Sequence, residues 1–139
     1  MTEQDDIRRI KDETRTIAVV GLSPKEDRPS WGVARFLQGQ GYKIIPVNPG
    51  HAGEQILGET VYADLASIPK DAGVDMIDIF RRSDAVPAIV DEAMAELPDL
   101  RTIWMQLGVS HDEAAARARA SGLTVVENRC PKIEFPRLG

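Results

Sequence analysis

Short apolar runs of strand length alternate along this chain with stretches whose apolar residues recur at helical spacing, and a series of β-α-β units reads this way in sequence. Five runs have strand character: Ile17-Ala18-Val19-Val20, Lys43 to Val47, Met76-Ile77-Asp78-Ile79-Phe80, Thr102-Ile103-Trp104-Met105-Gln106 and Thr124-Val125-Val126-Glu127. The first has no polar alternation, as a central strand covered on both faces requires. An amphipathic helix over roughly residues 3 to 14, with Ile7 and Ile10 on one face, precedes it. A second helix is predicted from Ser30, whose hydroxyl is placed to cap the first turn, with Val33, Phe36 and Leu37 inward and Gly39 and Gly41 at its end. A glycine-rich connection through His51, Gly53 and Gly58 leads to a turn of helix near Ala63 to Ser67. A helix from about Asp84 to Glu96 tolerates Pro87 in its first turn, and a Ser110–Glu113 capping box opens an alanine-rich helix that stops at Gly122.

These elements predict an α/β fold: a Rossmann-like three-layer sandwich with a five-stranded parallel sheet, the strands taken in the order 3-2-1-4-5 with right-handed crossovers. At 139 residues the chain suits one domain, spanning 1–139. A net charge of -5 argues against a basic face for nucleic acid. A single cysteine forms no internal disulfide, and no apolar run near 20 residues or signal-peptide pattern stands out, so no membrane partner and a cytoplasmic location are the expectations.

Ligands of such sheets bind outside the carboxyl ends of the strands, where the strand order reverses. Those ends here are Gly21-Leu22-Ser23-Pro24-Lys25, Asn48-Pro49-Gly50-His51, Phe80-Arg81-Arg82-Ser83, Gln106-Leu107-Gly108-Val109 and Asn128-Arg129-Cys130-Pro131. They are more polar and glycine-rich than the strands that feed them. The first turn departs from the G-x-G-x-x-G fingerprint: Ser23 follows Gly21, a loop carries Lys25 and Arg28, and Gly32 comes only after the helix has begun. Helix amides beside two cations suit phosphate. Yet the second strand runs out into Asn48-Pro49, where an acid would hold the ribose hydroxyls of NAD. Arg81 and Arg82 carry forked donors suited to phosphate, with one of the two open to the reading of a solvated surface residue. Trp31 either covers a ligand or packs the loop on its helix.

The segments VVGLSPKEDRPSWGVARFLQGQGYKIIPVNPG, DIFRR, WMQLGV and VVENRCPKIE, in this order and spacing, resemble the stand-alone bacterial CoA-binding proteins, related to the N-terminal CoA-binding domain of the succinyl-CoA synthetase alpha subunit. The likeness runs from about residue 15 to 135. It implies coenzyme A or an acyl-CoA as the ligand, with Gly21, Leu22, Ser23, Pro24 and Lys25 standing where the synthetase domain has its phosphate loop. Val47-Asn48-Pro49-Gly50-His51 resembles a stretch ending in a CoA-contacting lysine, so His51 would replace a permanent cation with a titratable one, and a phosphate contact there would weaken above neutral pH. Gln106-Leu107-Gly108 matches a segment lining the pantetheine channel, and Asn128-Arg129-Cys130-Pro131 resembles the asparagine-cysteine-proline turn that closes the site. The phosphohistidine domain of the synthetase has no counterpart here, so its ligase chemistry is not expected.

Two functional classes follow. One is a CoA or acyl-CoA binding module, with a partner protein as a possible target of its action. The other is an enzyme, either an NADP-linked reductase that uses Lys25 and Arg28 for a 2′-phosphate or an acyl transferase; no recognisable acid-base pair supports it. His51 and His111 lack a partner serine or a second ligand at metal spacing, and His111 reads as an exposed neutral side chain in a helix's first turn. Cys130, between Arg129 and Lys132, is either a small packing residue or a thiol able to exchange with bound CoA.

Overall fold

A computed structural model describes residues 2–138. Its main sheet is built of β1 (Thr16–Val20), β2 (Lys43–Val47), β5 (Met76–Ile79), β6 (Thr102–Met105) and β7 (Thr124–Val126), all parallel, and a hairpin of β3 (Gln55–Ile56) and β4 (Glu59–Thr60) stands beside it. The helices are α1 (Glu3–Glu13), α2 (Pro29–Gly39), α3 (Val86–Glu96), α4 (Asp112–Ala120) and α5 (Pro131–Arg137). The five central strands are buried along nearly their whole length, which explains their unbroken apolar sequences.

Side chains alternate between two cores. Ile17, Val19, Met76, Trp104 and Val126 point to the face covered by α1, α2 and α5, where they meet Ile7, Ile10, Val33, Leu37 and Phe135. Ala18, Val20, Ile77, Ile79, Ile103 and Met105 point to the face covered by α3 and α4, against Val86, Val90, Ala93, Ala114 and Ala118. The Rossmann-like three-layer class expected from the sequence is present.

The strand order differs from the expected one. It is β2-β1-β5-β6-β7, so that among the five long strands the third lies against the first and the second forms an edge. The free side of β2 is occupied by the chain that follows the hairpin: Tyr62 donates its backbone N–H to Pro46 O at 3.0 Å, and Asn48 donates to Tyr62 O at 2.9 Å. Pro46 has no N–H to give a neighbouring strand, and proline inside a sheet belongs on an edge. An interior position for β2, which the order 3-2-1-4-5 requires, would have left that gap facing another strand.

Three local expectations are also corrected. Helix α2 starts at Pro29, and the Ser30 hydroxyl accepts a bond from the Ser23 backbone N–H at 3.0 Å rather than capping its own helix. Helix α4 is capped by His111, whose Nδ1 accepts from Ala114 N at 3.2 Å, whereas Ser110 donates its N–H to the Ser83 hydroxyl. His111 is therefore the N-cap of α4 rather than a residue of its first turn. Finally, α5 packs on α1 and α2 where the sequence reading assigned no helix.

Candidate functional site

The chain leaves β1 toward α2 on one face and leaves β5 toward α3 on the other, so the two connections part at neighbouring strand ends and a crevice opens between them. Gly21 stands at this point. Its backbone donates to Val47 O at 2.8 Å and has a φ of +89°. A Cβ there would come within 2.4 Å of Phe80 O and 3.0 Å of Arg81 Cδ, so both space and backbone conformation demand glycine. The glycine lets the first turn and the Phe80-Arg81 backbone touch.

Beside this contact lies a cleft of about 610 Å³ lined by Pro29, Val33, Phe80, Arg81, Arg82, Gln106, Leu107, Val109 and Cys130. Seven of these stand at the strand ends read from the sequence: Phe80, Arg81, Arg82, Gln106, Leu107, Val109 and Cys130. Pro29 and Val33 do not; helical spacing assigns Val33 to the core, and it serves both core and cleft. Leu107 is 56% exposed at the rim. Cys130 is buried, its thiol unpaired, at the wall formed by the start of α5.

The first turn closes one end of the cleft. Leu22 is wholly buried and packs into the core on the α2 side. The Ser23 hydroxyl accepts from Lys25 N at 3.1 Å, which folds the loop so that residues 25 to 28 stand exposed. Asn48 donates its side-chain N–H to Leu22 O at 3.0 Å and accepts from Gly50 N at 2.9 Å, which ties the end of β2 to this turn. At the far side Asn128, with φ +56°, accepts from Gly108 N at 2.7 Å and so fixes the β6 and β7 ends together. Trp104 donates its indole N–H to Arg129 O at 2.8 Å and meets the Phe135 ring edge-on, which anchors α5 and the Cys130 wall to the sheet.

The cations divide sharply. Arg82 pairs with Asp84, Arg129 with Glu3, and His51 with Glu54 across 3.1 Å. Lys25, Arg28, Arg81 and Lys132 have no ion-pair partner among the described residues. Arg81 lays its stem against Gly21, and Lys132 Nζ lies 3.9 Å from where a Gly32 side chain would begin. Unpaired positive charge thus collects around the first turn of α2 on a chain of net charge -5. Lys132 is the member that the sequence reading did not place in the site, because nothing local says that α5 returns to α2. His51, Pro49 and Asn48 lie off the cleft lining, on the loop after β2. Trp31 packs against the α2-side core while half-buried.

Beneath the cleft sits Asp78, fully buried in the middle of β5. Burial alone pushes its carboxyl well above the usual carboxylate range. The Gln106 side chain, also buried, meets both carboxyl oxygens at 3.1 and 3.2 Å. Strand periodicity alone would make Asp78 a core position, and an acid at a core position was the available signal of a special environment.

A parallel sheet of this order, with a cleft and free cations at its switch point, defines a Rossmann-like α/β domain. The model of the CoA binding domain family matches residues 15–136 of the chain. The chain belongs to that family. It is 35% identical over 128 residues to the uncharacterized protein YneT of Bacillus subtilis, covering 92% of this chain and 90% of that one. Among solved structures, the cell-free ID.343 protein of Thermus thermophilus superposes with a TM-score of 0.90 at 33% identity, over 100% of both chains. The dinucleotide forming acetyl-coenzyme A synthetase 1 of Ca. Korarchaeum cryptofilum has a TM-score of 0.68 at 24% identity, over 88% of this chain and 28% of that one, a likeness of fold alone. No helix among the described residues is long and apolar enough to cross a membrane.

Proposed function

We propose that this protein binds coenzyme A or an acyl-CoA at the carboxyl ends of its sheet strands and acts as a binding module without ligase chemistry of its own. The observation that carries this reading is the pairing of two unlike surfaces in one place: unpaired cations around the start of α2, and the mostly apolar cleft beside them. CoA has the same division, with phosphates on its nucleotide and a long, sparsely polar pantetheine arm. Lys25, Arg28, Arg81 and Lys132 would hold the phosphates. Val33, Phe80, Leu107, Val109 and Cys130 would line the arm. Membership of the CoA binding domain family supports the ligand class.

Asn48 favours CoA over NAD in this reading. Its amide is committed to the backbone of residues 22 and 50, and no carboxylate stands at that strand tip for the ribose hydroxyls. The cleft lining also lacks a hydrogen-bonded nucleophile and base among the described residues, which supports binding over catalysis.

The test is isothermal titration of purified protein with CoA, acetyl-CoA, NAD and NADP in parallel, after checking for ligand carried through purification. Saturable binding of CoA or acetyl-CoA with no heat from NAD or NADP is the expected result. Binding of NADP alone would replace this reading with that of a reductase.

A further inference from the structure

The turn that leaves β6 is held firmly and yet presents an apolar side chain to water. Val109 donates its N–H to Gln106 O at 2.8 Å and Gly108 has a φ of +81°, so Gln106 to Val109 form a tight turn with Leu107 at its leading corner. Two neighbouring strand ends brace it. Asn128, itself at a left-handed φ of +56°, accepts from Gly108 N at 2.7 Å and donates its backbone N–H to Val109 O at 3.1 Å. The Ser83 hydroxyl, on the segment that follows β5, accepts from Ser110 N at 3.0 Å and donates to Gly108 O at 3.5 Å. Turns are built chiefly of glycine, proline and small polar residues. This one carries a leucine that is 56% exposed, more than any other large apolar side chain among the described residues. With its backbone fixed from both sides, Leu107 is kept at the rim of the cleft.

Charge along the rim runs one way. The free cations Lys25, Arg28, Arg81 and Lys132 gather at the β1 and β5 tips and the start of α2, where Arg81 lies on Gly21 and Lys132 reaches back to Gly32. At the β6 and β7 tips Arg82 is turned to Asp84 and Arg129 to Glu3. The other charged groups of that end are acids: Glu127, which accepts from His111 N at 3.0 Å, and Asp112 and Glu113 in the first turn of α4. A ligand anchored by phosphates at the α2 end lays its far end against Leu107 and Val109, two strand spacings of about 4.8 Å from the Gly21 turn. We propose that this end takes a neutral hydrocarbon acyl chain carried as the thioester of CoA, with Leu107 as the specificity-determining contact. A hydrocarbon chain covers Leu107 and Val109 and removes apolar surface from water. An acyl group ending in a carboxylate would lie on the same apolar rim among like charges, with no free cation to meet it. This rests on the CoA reading above and narrows it to one class of acyl-CoA.

The test titrates free CoA, acetyl-CoA, butyryl-CoA and succinyl-CoA into wild type and Leu107→Ser, with the folding of the variant checked by thermal unfolding. Butyryl and succinyl groups have equal carbon number and differ by a terminal carboxylate. Wild type should bind butyryl-CoA at least about fourfold more tightly than acetyl-CoA, about twofold per added methylene on an open rim where full burial gives about fourfold. Succinyl-CoA should bind no more tightly than acetyl-CoA. In Leu107→Ser the ratio of butyryl-CoA to acetyl-CoA affinity should fall to about one. The wild-type series decides the ligand class without the variant. Equal affinity for free CoA and all three thioesters would overturn the proposal and leave the CoA reading standing. Succinyl-CoA bound as tightly as butyryl-CoA would overturn the choice of a neutral chain. A butyryl preference that survives in folded Leu107→Ser would put the chain elsewhere and overturn the role of Leu107. Failure of wild type to bind any of the four would overturn the CoA reading and the proposal with it.

Discussion

Asn48 donates its side-chain N–H to the carbonyl oxygen of Leu22 across 3.0 Å, so the tip of β2 holds the turn that leaves β1. The residue that occupies the place of a nucleotide-binding acid is therefore a strut between two loops. A carboxylate in its place would set oxygen against oxygen.

Asn48→Asp is expected to destabilise the protein by about 1–3 kcal/mol, the cost of a lost bond and an opposed carbonyl, and to confer no NAD affinity. Chemical denaturation and an NAD titration of the variant check both halves. A fully stable variant that binds NAD would show that the position is a ligand contact instead.

Gly21 and Gly53 have nearly the same positive φ, +89° and +87°, but only Gly21 has backbone where a Cβ would go. Gly53→Ala should cost about 1 kcal/mol from backbone conformation alone. Gly21→Ala should cost distinctly more and weaken CoA binding, because Phe80 and Arg81 must move. Equal losses in thermal unfolding would refute the close contact between β1 and β5 ends as the reason for this glycine.

The buried Asp78 makes stability depend on pH with a defined sign. Its folded pKa is raised well above the ordinary aspartate value of 3.8, so above that value the unfolded chain releases a proton that the folded chain keeps. Its contribution is complete below the unfolded pKa and is lost as pH rises toward the folded one, at about 1.4 kcal/mol per pH unit while only the folded form is protonated. Asp78→Asn should flatten that decline and be relatively more stable at pH 7 than at pH 4. Parallel urea titrations of both proteins across this range decide it; a wild type that gains stability relative to the variant as pH rises would contradict a neutral Asp78.

The division among the arginines and lysines predicts a pattern in CoA affinity. Arg81→Gln and Lys132→Gln should each weaken binding by about 3- to 10-fold, in the range of a solvent-screened charge contact to phosphate. Arg82→Gln and Arg129→Gln, which lose partners in Asp84 and Glu3, should change it little. Titrations at two salt concentrations check the assignment, since only the first pair should reduce the salt dependence.

Cys130 is buried in the cleft wall, and the guanidinium of Arg129 next to it is turned to Glu3. Cys130→Ser should bind CoA nearly as well as wild type, and CoA disulfide should leave the native protein unmodified by mass. An adduct, formed as the thiolate attacks the disulfide and expels one CoA thiol, would make Cys130 a reactive group.

The sequence made the alternation of strands and helices readable, and with it the rim that carries the site, because buried parallel strands leave long apolar runs and their ends must turn polar. The strand order is also legible in one residue: Pro46 marks β2 as an edge. The reach of Lys132 to α2 was not legible, since it depends on how α5 docks, through Trp104 and Phe135, far from Gly32 in sequence. Ser30 and Ser110 show the limit of capping patterns: both are chemically able to cap, yet the Ser30 hydroxyl takes the Ser23 N–H and the cap bond from Ala114 N goes to His111. Gln106 is placed in the site by its strand end alone, and the structure adds the buried acid that its amide meets.

The most direct measurement is a titration of 15N-labelled protein with CoA followed amide by amide. Shifts concentrated at Gly21, Ser23, Arg81, Leu107 and Cys130, with residues at the opposite edge of the sheet such as Arg9, Arg101 and Thr124 unmoved, are the expected result. Shifts confined to that opposite edge, where a second cleft of about 370 Å³ lies, or no shifts at millimolar CoA, would contradict a CoA site at the carboxyl ends of the strands.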